Sequence, residues 1–103
     1  MSLPIVICDD SSFARKAIAR ALPDSWDVDI SFAENGQQAI EKIEQGLAHV
    51  LFLDLNMPVM DGYETMKFIR QYDLQTVVIV ISGDVQQEAR KRMMDLGALE
   101  FIE

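Results

Sequence analysis

The sequence predicts an α/β domain built on one doubly wound, five-stranded parallel sheet. Three observations predict it. Short apolar runs alternate with stretches of helical periodicity along all 103 residues, the pattern of βαβ units joined by right-handed crossovers. The runs at Leu3–Cys8, Val50–Leu53 and Thr76–Ile81 are apolar almost without interruption, as strands buried on both faces are. Finally, Asp9, Asp10, Asp54 and Ser82 each stand just after one of those runs, at the carboxyl ends of strands where open α/β sheets bind ligands.

Each element has its own signal. Leu3–Cys8 is the first strand, and Ser11-Ser12 supply hydroxyls to cap the helix that follows. Ala14, Ala17, Ile18, Ala21 and Leu22 form that helix's apolar stripe, with Arg15, Lys16 and Arg20 turned outward, and Pro23-Asp24 stops it. From Trp26 to Phe32 apolar and polar residues alternate, which predicts a half-exposed edge strand with Trp26 and Phe32 in the core. Asn35-Gly36 is a turn signal. Ala39, Ile40, Ile43 and Leu47 mark a second helix ended by Gly46, and His49 opens the central strand in a structural role. Tyr63, Met66, Phe68, Ile69 and Tyr72 mark a third helix. Thr76–Ile81 is nearly all β-branched, a fourth strand. Val85, Ala89, Met93 and Leu96 mark a fourth helix closed by Gly97, and Leu99–Glu103 begins a fifth strand. With no helix after it, one face of the sheet is expected to be partly bare, as in a cut piece or a domain covered by a partner.

Composition narrows the function. A length of 103 residues is one domain, here the whole of 1–103. Its formal net charge of −8 argues against binding a nucleic-acid backbone. No apolar run approaches the roughly 20 residues that span a bilayer, and no signal peptide precedes the first strand, so a cytoplasmic location is expected. Cys8 is the single cysteine, which excludes an internal disulfide; inside Ile5–Cys8 it reads as a small buried apolar residue.

The chemistry gathers at two strand ends. If the first and central strands are neighbours, Asp9, Asp10 and Asp54 converge, and three carboxylates that close repel one another unless a cation is present. Mg²⁺ suits such a site, because it accepts one or two carboxylates, keeps waters and binds phosphate oxygens. Asp54, held at the edge of a central strand, can be a nucleophile toward a phosphoryl group. Ser82 would bring a hydroxyl to the same edge, and Gly83 would leave the approach open. Taken singly, each has a plainer reading: Asp54 starting a turn, Asp9-Asp10 capping a helix, Ser82-Gly83 forming a turn.

Together, Asp9-Asp10 after the first strand, Asp54-Leu-Asn-Met-Pro-Val-Met-Asp-Gly62 after the third and Ser82-Gly83 after the fourth resemble the receiver domain of two-component response regulators, of the chemotaxis-regulator kind. The resemblance covers Leu3 to Glu103. It implies strand order 2-1-3-4-5 in a flavodoxin-like fold, here without the family's last helix. It also implies Asp54 as phosphoacceptor, Asp10 as a direct Mg²⁺ ligand with Asp9 acting through water, and the backbone carbonyl of Asn56 as a further ligand. Ser82 matches the switch hydroxyl and Phe101 the switch aromatic. A histidine kinase or phosphotransfer protein is the implied donor, acting on a module that is not itself an enzyme, with an unspecified output domain or target. The family's Lys would come directly after Glu103.

Two other classes compete. A haloacid-dehalogenase-like phosphatase needs a second Asp two residues after its nucleophile, where this chain has Asn56. A pseudo-receiver that only dimerises or docks would be marked by loss of the acceptor or the acidic pair, and both are present. The partly bare face also leads us to expect self-association into a homodimer.

Overall fold

The computed structural model describes residues 2–83 and 87–102. Among the described residues nine elements alternate: β1 (Leu3–Cys8), α1 (Ser12–Ala21), β2 (Val28–Ala33), α2 (Gly36–Glu44), β3 (Val50–Leu53), α3 (Gly62–Gln71), β4 (Val77–Ile81), α4 (Gln87–Asp95) and β5 (Glu100–Ile102). The strands form one sheet in the order β2-β1-β3-β4-β5, with every neighbouring pair parallel. Ile5 lies opposite both Ile30 and Val50, and Leu53 opposite both Cys8 and Val80. The sheet is thereby in step across its centre, and all its strands end at one edge.

The helices start where local chemistry allows. The side chains of Ser11, Asn35 and Asp61 accept the backbone N–H groups of Ala14, Gln38 and Glu64, each satisfying one of a helix's orphan donors. Asp61 and Glu64 form a reciprocal capping box. The Asn35-Gly36 pair is therefore a helix start rather than a free turn. Gly46 and Gly97, at φ 79° and 104°, end their helical stretches in the left-handed region open to glycine.

The core has two unequal halves. On one face Val6, Leu51, Leu53, Val80 and Phe101 pack with residues of α2, α3 and α4, such as Ile40, Met66 and Met93. On the other, Ile5, Ile7 and Phe52 are covered by α1 through Ile18, Ala19 and Leu22. There α1 has no fully buried residue, and Ala17 and Ala21 of its expected stripe are exposed. A largely apolar groove of about 680 Å³ opens beside it, lined by Ala17, Ile18, Trp26, Phe52, Ile81 and Ile102 among others. Ile5, Ile7 and Phe101, which the absence of a helix after the fifth strand would lead one to expect partly uncovered, are all buried.

Two aromatic residues expected in the core are at the surface. Trp26 is 53% exposed and precedes β2, with Asp27 tied to Leu3 at the edge where strands begin. Phe32 is 39% exposed on the edge strand, where the Arg15 guanidinium covers its ring from 5.9 Å. Alternation identifies β2 as a half-buried edge strand correctly, but its apolar face meets only the thin cover of α1. Thr76 and Leu99 fall just outside β4 and β5. Val85 lies outside the described residues.

Contiguous apolar surface of this kind binds amphiphilic probes. We expect anilinonaphthalene sulfonate to fluoresce in the presence of the native chain and to quench Trp26, and Ile102→Asp to weaken both effects. Dye emission no higher than with a closed globular control would show that the groove is covered in solution.

Candidate metal and phosphoryl site

The site is made by backbone hydrogen bonds that continue the ladder one residue beyond the strands. Asp9 N–H donates to Ala33 O at 3.0 Å, and Asp54 N–H donates to Cys8 O at 3.0 Å. These bonds fix Asp9 and Asp54 side by side as the chain leaves β1 and β3. Asp10 follows directly. One oxygen from each of the three carboxylates lies within 4.8 Å of the others, with Asp9 and Asp54 half-buried and Asp10 exposed.

The surroundings hold these groups in place. Asp9 Oδ1 accepts the Ser11 N–H at 2.9 Å, and Arg15 Nη1 donates to the Asp9 carbonyl at 2.6 Å. Arg15 thus faces the acidic edge instead of pointing outward as its place in the helical pattern suggested. Gly62 is required behind Asp54: a Cβ there would meet the Asp54 carbonyl at 2.5 Å and Leu55 Cα at 2.7 Å. Val59, on the loop between, takes φ 68°, a left-handed conformation costly for a β-branched residue. Below the site, the Cys8 thiol contacts Met57 Sδ at 3.4 Å and the Asn35 carbonyl at 3.2 Å. Burial, reinforced by the nearby carboxylates, pushes its pKa up to about 12, so Cys8 is an inert packing residue.

Burial pushes the Asp54 carboxyl up from 3.8 to about 6, and the Asp9 charge adds to the rise, while the Asn56 and Leu55 backbone N–H groups oppose it. Asp9 is also raised, chiefly by burial, with Asp10 contributing. An anionic cluster in this condition favours whatever supplies positive charge. Hard carboxylate oxygens, close together and open to solvent on the Asp10 side, suit a small divalent cation such as Mg²⁺ better than a softer metal.

The remaining expected site residues lie around this edge. Asn56 is exposed, two residues beyond Asp54. Ser82 is buried just past β4, its N–H donating to Ile102 O at 3.0 Å. With Leu53 opposite Val80, it leaves the sheet within a residue of the Asp54 level. Phe101 is turned inward, 3% exposed, in the core half that holds Ala89 and Met93 of α4. The most exposed large apolar side chains, among the described residues, are Phe13 at 80% and Val59 at 75%. Both sit on segments that adjoin the carboxylates, and no periodicity singles them out.

A family model for the response regulator receiver domain matches residues 5–103. The chain belongs to the response regulator receiver domain family. The chemotaxis protein CheY of Bacillus subtilis is 35% identical over 102 residues, covering 99% of this chain and 85% of that protein. A protein-glutamate methylesterase/protein-glutamine glutaminase of Geobacter sulfurreducens is 36% identical over 99 residues, covering 95% of this chain. This chain spans only 26% of that relative's length. Among solved structures, the signal receiver domain of the putative response regulator NarL from Mycobacterium tuberculosis superposes with a TM-score of 0.88 at 32% identity. That match covers 98% of this chain and 82% of the other. The receiver fold, with its strand order, is therefore the one the sequence led us to expect. No helix of the described residues is long and apolar enough to cross a membrane.

The raised carboxyls make stability depend on pH with a definite sign. A folded-state pKa of about 6 against 3.8 means that folded Asp54 holds a proton over a range where the unfolded residue has lost it. Stability from this group is thus present at low pH and lost as pH rises through about 6. We expect urea midpoints measured in a chelator to fall between pH 4 and pH 7 and to recover at pH 7 on adding Mg²⁺, with Asp54→Asn flattening the profile. A midpoint that climbs steadily over that range in wild type and variant alike would contradict this electrostatic account.

Proposed function

We propose that this receiver domain accepts a phosphoryl group on Asp54 from a histidine kinase or phosphotransfer protein, and that the resulting change alters an output. The observation that carries the proposal is the meeting of Asp9, Asp10 and Asp54 within 4.8 Å at the carboxyl edge of the sheet. The Asp54 backbone is fixed by both the Cys8 carbonyl and the close approach of Gly62. A carboxylate so held has little freedom to lose when it attacks.

In the transfer, an Asp54 oxygen forms a bond to phosphorus as the phosphorus–nitrogen bond of the donor phosphohistidine breaks. The imidazole nitrogen keeps the bonding pair and takes up a proton. Asp10, Asp54 and the Asn56 carbonyl would hold Mg²⁺, with Asp9 acting through water. The bound ion supplies positive charge against the oxygens of the transferring group. The Ser82 hydroxyl turns to the new phosphoryl oxygens, and Phe101, packed beside α4, carries the rearrangement across β5. Exposed Phe13 and Val59 frame the edge at which the donor must approach. The reaction takes place in the cytoplasm, where such donors reside.

The output follows one of two arrangements that the relatives display: a long protein of which this length is about a quarter, or one little longer than the domain itself. In the first, an enzymatic output such as a methylesterase would be under receiver control. The apolar groove beside α1 favours a second use as a docking or homodimer surface.

With a small-molecule phosphodonor and Mg²⁺, we expect phosphate on Asp54 alone by peptide mass mapping, and none on Asp54→Asn. Asp10→Ala should weaken Mg²⁺ binding by at least about tenfold in calorimetry and slow labelling accordingly. Stable label elsewhere, or unchanged Mg²⁺ affinity in Asp10→Ala, would overturn the assignment.

A further inference from the structure

The positive charge of this acidic chain is concentrated at one place that the phosphoryl chemistry does not use. Lys67 and Arg70 of α3 face Lys91 and Arg92 of α4 across an open cleft of about 370 Å³, with Glu88 and Asp95 as the acidic members of its lining. Four of the chain's nine Lys and Arg residues are here. Four cations against two carboxylates leave the cleft at a formal +2 and the rest of this −8 chain at −10. None of Asp9, Asp10 or Asp54 lines it.

Among the described residues, the two guanidinium groups are held in position without being neutralised. Arg70 Nη1 donates to the backbone carbonyl of Asp95 at 2.7 Å, an uncharged acceptor. The Arg92 guanidinium lies 4.2 Å from the centre of the Tyr63 ring, again an uncharged partner. Lys91 alone meets a carboxylate, Asp95 at 3.0 Å, in a pair so exposed that it is worth little. Among the described residues, Lys67, Arg70 and Arg92 form no ion pair. Two guanidinium groups fixed by neutral contacts keep most of their N–H donors for an incoming anion, in the planar arrangement that fits carboxylates.

We propose that the α3–α4 cleft is a docking surface for a short acidic segment, rich in Glu and Asp, on a partner protein. Charge distribution selects this occupant over nucleic acid. A phosphate backbone long enough to bind firmly would run onto a surrounding surface of −10 and be repelled, whereas a few carboxylates stay within the cleft. The cleft is shallow and rimmed by long, exposed side chains, which suits a surface-bound peptide rather than an enclosed metabolite.

The test is a titration of the isotopically labelled chain with capped hexaglutamate, followed by amide NMR at low and at raised ionic strength. Shifts should gather on residues 67–70 and 91–96, and the dissociation constant should rise by about tenfold or more with salt, as exposed charge pairing is screened. Lys67→Glu with Arg92→Glu should abolish these shifts. Lys16→Glu with Arg20→Glu on α1, the same change in net charge, should leave the shift pattern in the cleft and lower affinity far less. All four positions are exposed, so each variant can be checked for an unchanged fold by its amide spectrum. Equal weakening by the two double variants would mean that only overall charge is sensed and would overturn the proposal. So would tighter binding of oligothymidylate than of hexaglutamate at the same residues.

Discussion

Parallel pairing of β1 with β3 is the constraint from which this molecule follows. Ile5 opposite Val50 and Cys8 opposite Leu53 set the register, and side chains of period two leave no intermediate alternative, because a slip of one residue would turn every core residue of β3 to the other face. The same register delivers Asp54 beside Asp9 and Asp10. Packing that stabilises the sheet therefore also determines the chemistry at its edge. Gly62 belongs to this arrangement, since the turn into α3 must pass against the Asp54 carbonyl with no room for a side chain.

What packing brings together, electrostatics resists. Carboxyl groups that are partly desolvated and mutually repelling are kept close by backbone bonds, and the upward shift of Asp54 expresses that conflict. The acidic cluster is a local sacrifice of stability of the sort found at functional sites. It gives the domain an inherent attraction for positive charge and leaves in Asp54 a carboxyl whose charge state responds to it. The basic α3–α4 cleft is the counterpart on another surface, where cations are retained beside neutral partners. A molecule of net charge −8 thus presents two sites of opposite sign.

Much of this was legible in the residues. Continuous apolar runs gave β1, β3 and β4, whose two-sided burial leaves a plain signal; Ser11-Ser12 and Pro23 placed α1 and Gly46 the end of α2 to within a residue or two, whereas Asn35-Gly36, read as a turn, is the start of α2. The three acidic positions and Ser82 were legible because each follows a buried run directly, so that topology alone sends them to one edge. The strand order came from the resemblance of the motifs to receiver domains, since periodicity cannot state which strands are neighbours. What escaped was decided by depth of cover. Trp26 and Phe32 have the spacing of core residues, yet one precedes and the other lies on an edge strand beneath a single helix, and both are exposed. Arg15 looks like a solvent-facing helical cation, but the start of α1 lies so near Asp9 that its guanidinium turns back to that carbonyl. The cleft between α3 and α4 could not be read at all, because the facing of Lys67 and Arg70 toward Lys91 and Arg92 exists only once both helices are docked on the sheet.

Three carboxylates crowded at one sheet edge act as one electrostatic unit that a divalent cation would complete. Titrating the side-chain carboxyl carbons by ¹³C NMR, with and without Mg²⁺, measures this coupling most directly. Asp54 is expected to titrate near pH 6 in the absence of the cation, to move to markedly lower pH when Mg²⁺ is added, and to fall toward the ordinary carboxylate range when Asp9 is changed to Asn. An Asp54 midpoint already near 3.8 and indifferent to both Mg²⁺ and Asp9→Asn would contradict it.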